Sequence, residues 1–149
     1  MTQSFAATVE QWARDVEGVV EVIFRESVQE LVSQADDLLT QLVYAAPPSP
    51  NYRRTGFLRS SLTISTASMP LASRPQGALD ADYMAEITAT IAGSDITETI
   101  YVGWTAEYAP FVHWGARGQP PKPWVTLVAQ RWQEIVARVA ARVKDRLGL

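Results

Sequence analysis

The chain has 149 residues, 47% of them hydrophobic and 19% charged, which suits one globular domain with its own core and gives no reason to seek a second. It contains no cysteine, which excludes disulfides and thiolate metal sites and fits an intracellular origin. The net charge of −3 is segregated: residues 1 to 52 hold eight acids and two bases, 53 to 74 four arginines, 75 to 110 six acids, and 111 to 149 seven bases and two acids. Such blocks favour ordered association between oppositely charged faces, the plain alternative being unevenly charged solvated surfaces. No apolar run reaches the length of a membrane span. The start, MTQSFAATVEQWARDVEG, lacks the basic and continuous apolar regions of a signal peptide, so a cytoplasmic protein without a membrane partner is expected.

Ser4 is placed to cap a helix, and Phe5, Val9, Trp12, Val16, Val19, Val20, Ile23 and Phe24 follow at helical spacing. Val28, Leu31, Ala35, Leu38, Leu42 and Val43 continue the pattern with a shifted stripe, and Gly18 costs about 1 kcal/mol relative to alanine inside a helix. A helical segment over about 5 to 45 is expected, either continuous or broken near Gly18 to Arg25. If continuous it is longer than a domain of this size needs, which leaves part of it for another subunit. Its second half is expected to lie across the sheet of the same chain. The acidic pairs Asp36-Asp37 and Asp80/Asp82 read as solvated faces.

Pro47, Pro48 and Pro50 end the helix in an extended linker. The sheet is expected over about 57 to 104, with three or four mostly antiparallel strands. In RTGFLRSSLTIST, Gly56 supplies a turn; Leu58, Leu62 and Ile64 then face one way and Phe57, Arg59, Ser61 and Thr63 the other. The stretch from Ala67 to Tyr83 has no sustained period and is a candidate arm that orders against a neighbour, with a dispensable loop as the alternative. Ala85, Ile87, Ala89 and Ile91 alternate with polar residues, and Gly93-Ser94-Asp95 is read as the turn of a hairpin into a strand from Ile96 to Trp104.

From Tyr101 to Trp124, YVGWTAEYAPFVHWGARGQPPKPW concentrates tryptophan, glycine and proline at the point where a period of two gives way to helical spacing. This aromatic junction is expected to be a packing element with Trp104, Tyr108, Phe111 and Trp124 buried, since exposing four such rings together would leave a large apolar patch. A closing helix over about 124 to 147 places Val125, Val128, Trp132, Ile135, Val136, Val139, Val143 and Leu147 on one stripe. Arg131, Arg138, Arg142 and Arg146 lie mostly off it, as a solvated face or as a stripe turned to DNA or to an acidic patch of the next subunit.

The two motifs resemble the signature of tailed-bacteriophage head–tail joining proteins of the neck and tail-completion group. The family pattern is roughly VG, then YAxFVExG, then Pro with Phe or Trp opening a C-terminal helix, preceded by DTGxLRxSI. In this sequence Gly103, Tyr108, Ala109, Phe111, Val112, Gly115 and Trp124 match the first half, and Thr55, Gly56, Leu58, Arg59, Ser61 and Leu62 the second. Arg54 and His113 stand where the pattern has acids. The resemblance implies an α+β domain with a C-terminal helix on the sheet, and a structural virion protein without enzymatic activity. It would be assembled in the host bacterial cytoplasm into a ring, six-fold by family, with head-completion, connector and tail-tube proteins as neighbours. Arg53, Arg54, Arg59, Arg74, Arg131, Arg138 and Arg142 are the candidates for an interface or for DNA in the channel.

The residues fit no common reaction centre. His113 is the single histidine, Ser60 and Ser61 are in no GxSxG context, and Tyr108, Phe111 and Trp114 around His113 read as packing. No zinc, EF-hand or HExxH spacing and no P-loop or GxGxxG occurs, so no metal or cofactor is expected. Against the head–tail reading stand two others, a small DNA-contacting accessory protein and a general interaction module.

Overall fold

The computed structural model describes residues 4 to 45, 56 to 70 and 82 to 149. The N-terminal segment is one unbroken helix, α1 (Phe5–Leu39), which widens into a π-helical turn at Thr40–Tyr44. Ser4 caps it by accepting from the Ala7 amide at 3.2 Å. Gly18 sits within it without a break, and from Val28 onward Val28, Val32, Ala35 and Leu39 are buried. The proline linker and residues Arg53, Arg54, Thr55 and Arg74 lie outside the described residues, as does most of the candidate arm from Ala67 to Tyr83.

Mixed helix and sheet is the observed class, but among the described residues the sheet has two strands rather than three or four. Strands β1 (Leu62–Ser65) and β2 (Tyr101–Trp104) run antiparallel, with Leu62 opposite Trp104 and Ile64 opposite Val102. The segment expected as a strand around Ala85 to Ile91 is a helix, α3 (Tyr83–Ala92), that buries Tyr83, Ile87 and Ile91. A spacing of four residues satisfies a period of two as well as one helical face. Ala85 and Ala89 decide between them, because both are exposed, whereas a strand would have buried them with Ile87 and Ile91. The hairpin into Ile96 is also absent. Asp95 Oδ1 accepts from the Thr97 amide and hydroxyl, each at 2.8 Å, and the Asp95 carbonyl accepts from Glu98, so this segment turns instead of extending.

Before β1 the chain forms one turn of helix, α2 (Phe57–Ser60), where alternation had been expected. Phe57 and Leu58 are both buried, which adjacent residues of a one-sided strand cannot be. Beyond β2 come α4 (Ala109–Trp114), α5 (Trp124–Ala129) and α6 (Trp132–Leu147). The closing helix is thus two pieces. A tightened turn, with the Arg131 amide on the Val128 carbonyl at 2.9 Å, re-phases the stripe. Trp124 and Val128 face a core with Leu39, Leu58 and Ala109, whereas Ile135, Val139 and Val143 face Val19, Val22, Ile23 and Leu31 of α1. Val125 and Leu147 of the expected stripe are exposed.

The buried and exposed aromatics of the junction give a stability contrast. Trp124→Ala is expected to cost about 3 to 5 kcal/mol, and Phe111→Ala less than about 0.5 kcal/mol. Urea denaturation of both variants checks this, and equal losses would contradict the assigned burial.

Candidate functional site

The two halves of the bipartite motif meet. Gly56 has φ 84°, in the left-handed region where a Cβ is strained, and starts α2 at an angle that puts Leu58 and Phe57 into the core. Ser60 and Ser61 donate their hydroxyls back to the carbonyls of Phe57 (3.2 Å) and Leu58 (2.6 Å), which closes the turn. The Ser61 carbonyl then accepts from the amide and the hydroxyl of Thr105, at 3.1 and 3.0 Å, tying the first motif to the end of β2. Phe57 and Tyr108 have ring centroids 6.3 Å apart, and Leu58, Ala106, Ala109 and Trp124 share one buried cluster.

Arg59 leaves this turn in the opposite direction. Its Nη2 is 3.3 Å from Oδ2 of Asp36 on α1, and the Tyr83 hydroxyl donates to the same carboxylate, 3.0 Å from Oδ1 and 3.1 Å from Oδ2. Asp36 is 5% exposed, so the acidic pair read as a solvated face is half wrong: Asp37 is exposed, Asp36 is a core residue. Arg59, a candidate for an interface or for DNA, is instead paired with this acid of α1. Burial of Arg59 disfavours its charge, but the hydrogen bond and charge of Asp36 outweigh that and raise its pKa. Burial, and next the charge of Asp36, push the Tyr83 phenol from its usual 10.0 up to about 12. The Arg59 amide also donates to the Tyr44 hydroxyl at 3.2 Å.

At the other end of the junction the expected aromatic burial holds for Trp124 (1% exposed), with Trp104 and Tyr108 half-buried, and fails for Phe111, which is 63% exposed beside Trp114 at 67%. The inward position on α4 belongs to His113. Its ring lies 5.2 Å from that of Trp124 and 4.4 Å from that of Trp114, and Nε2 accepts from the Thr126 amide at 3.4 Å. Burial lowers its pKa, which favours the neutral ring. The register follows from Ala109 and His113 being four apart, one helical face, with Phe111 and Trp114 on the other. Gly115, at φ 86°, is packed so tightly that a Cβ would lie 2.9 Å from the Gln119 carbonyl oxygen. With Lys122 donating to the Val112 carbonyl at 3.1 Å, it makes the 115 to 122 loop a fixed support for α4. Gly103 has open space around it and makes no such demand.

Among the described residues, the closing-helix arginines proposed for DNA or for the next subunit are engaged within the chain. Arg138 pairs with Glu30 at 3.0 Å, Arg142 and Arg146 pair with Glu26 at 3.4 and 2.7 Å, and Arg131 donates to Gln34 at 3.2 Å. These contacts run antiparallel along α1 and α6. The hydrogen bond and charge of Arg146, joined by Arg142, hold the Glu26 carboxyl below its usual range despite partial burial. The sequence signal missed was Asp36 itself: it follows Val28 and Val32 at four-residue steps on the buried face, and an acid there calls for a cation.

An open apolar cavity of ≈ 440 Å³ lies between α1, β2 and α5, lined among others by Phe24, Val28, Val102, Trp104 and Trp132. Among the described residues no group of three or more His, Asp or Glu is placed to hold a metal ion, and no helix is long and apolar enough to cross a membrane. Comparison with protein families, curated proteins and solved structures finds no match to this chain.

Two outcomes test the site. Gly56→Val is expected to lower thermal stability or soluble yield because of the left-handed φ, and an equally stable variant would contradict that geometry. The second concerns pH. The folded Tyr83 stays protonated above the unfolded phenol, so its contribution is complete below pH 10 and is lost as pH rises from about 10 toward 12. Tyr83→Phe should therefore be less stable than the parent at pH 8, with the difference shrinking above pH 10; a constant difference would refute the assigned role.

Proposed function

We propose that the protein is a structural component of the head–tail junction of a tailed bacteriophage, a member of the neck or tail-completion ring that joins the filled head to the tail. One observation supports this reading above the others: the two separated motifs that resemble the head–tail joining signature pack into a single core and hold Phe111 and Trp114 outward on a braced helix. Tryptophan and phenylalanine held rigidly at the surface are what a protein contact uses as anchors, because little side-chain entropy remains to be lost on binding. Arg117 and Lys122 lie on the loop that braces α4 and give that loop positive charge. The reading includes self-assembly into a ring, six-fold by the family resemblance, with head-completion, connector and tail-tube proteins as its neighbours.

The internal pairing of Arg131, Arg138 and Arg142 removes support for a DNA-contacting accessory protein from the closing helix, Arg53, Arg54 and Arg74 lying outside the described residues. Protein assembly is therefore the better-supported class.

The test uses filled heads and free tails from an infection lacking this protein. Adding the purified protein is expected to yield joined particles, counted by electron microscopy, with extra density at the joint. Phe111→Ala combined with Trp114→Ala should reduce joining at least tenfold while leaving the thermal melt unchanged. Failure of the parent protein to bind heads or tails would overturn the reading, and so would a gene neighbourhood without portal, capsid or tail-tube genes.

A further inference from the structure

The first four turns of α1, residues 5 to 18, are an arm with no core cluster packed on it among the described residues. Phe5 is 85% exposed, Val9 45%, Trp12 66% and Val16 41%. They are successive members of a 4-3-4-3-4 series, Phe5, Val9, Trp12, Val16, Val19 and Ile23, the spacing of a helix–helix seam. At about 100° per residue these six positions lie within about 40° of one line along the helix. Their two halves differ only in what covers them. Val19 and Ile23 pack against Val139 and Val143 of α6, which ends at Leu147, and the rest of the seam runs on past that end.

We propose that this uncovered seam is a self-association site, in which the α1 arms of two copies pair antiparallel about a two-fold axis. Antiparallel pairing follows from α6. A second α1 lying parallel on the seam would run into α6 at Val19, because α6 already occupies that stretch. An antiparallel one, with Phe5 opposite Val16 and Val9 opposite Trp12, points its continuing end away into free space. The residues flanking the uncovered seam are Ala6, Thr8 and Ala13 with Asp15, so the helices approach closely and no like charges oppose one another across the contact. The area is sufficient. Phe5 and Trp12 each bury about 150 to 250 Å², so the four aromatics of two copies, with the valines, bring the contact to roughly the 1,000 Å² that a specific interface needs. That size predicts a reversible dimer rather than an obligate one.

A two-fold contact closes on itself and builds no ring, so the pair is a state of the free protein and is independent of the head–tail reading. Its driving force is apolar and each arm carries Glu10, Asp15 and Glu17 against Arg14, so salt should leave the dimer intact or tighten it.

Sedimentation of the full chain across a range of concentrations, at low and high salt, is expected to show a monomer–dimer equilibrium. Trp12→Glu should weaken it at least tenfold with no change in the thermal melt, since Trp12 makes no core contact. Orientation is read by spin labels, attached one site at a time because the chain has no cysteine of its own. Labels at Gln11→Cys should lie close together across the dimer. Labels at Glu17→Cys should be separated by a further 20 Å or so along the axis, from about 13 residues at about 1.5 Å each. A monomer at all concentrations, a dimer indifferent to Trp12→Glu, or equal distances at the two label sites would each overturn the proposal. A ring-sized assembly lost on Trp12→Glu would overturn the two-fold pairing while leaving the head–tail reading standing.

Discussion

The fold turns on one buried carboxylate. Asp36 lies on the inner face of α1, almost without access to water, and a charge in that position is tolerated only with a cation and hydrogen-bond donors around it. Arg59 and Tyr83 supply them, and in doing so fix α2 and α3 to the same turn of α1. The first fixes the position of the GFLRSSL turn relative to the helix, and the second anchors the start of the helix after residue 82. Replacing the carboxylate alone would strand Arg59, which is why the three groups act as a unit rather than as separable contacts.

The same helix also decides the fate of the segregated charge. Glu26 and Glu30 of the first block lie opposite Arg138, Arg142 and Arg146 of the last one on α1 and α6, so part of a pattern compatible with intermolecular assembly is used within one chain. Each of these pairs is largely exposed and individually worth little. Their effect is on register: together with Ile135, Val139 and Val143 they hold α6 against the stretch of α1 from Val19 to Leu31. Among the described residues, exposed apolar and aromatic side chains gather along the α1 arm at one place and at Phe111 with Trp114 at another.

The sequence by itself determined the helical character of the first segment, its cap at Ser4, the turn at Gly56, a strand ending at Trp104 and the helical character of the closing segment, but not that the first helix is unbroken, that the strand pairs with Leu62–Ser65 or that the closing helix is two pieces. Each of these rests on a local rule, a side-chain oxygen facing free amides, a positive φ, or a sustained apolar period. It did not determine the state of residues 83 to 92, because apolar residues at steps of four fit a strand and a helix equally, and burial of Tyr83 against Asp36 was needed to choose. Nor did it determine which face of the six-residue α4 turns inward. Phe111 is the more hydrophobic residue, yet His113 is buried, since Ala109 and the loop braced at Gly115 set the helix rotation. The partners of Arg59, Arg138 and Arg142 were likewise decided only in three dimensions: charge along a chain gives sign and amount, and the distance that makes a pair comes from how the helices pack.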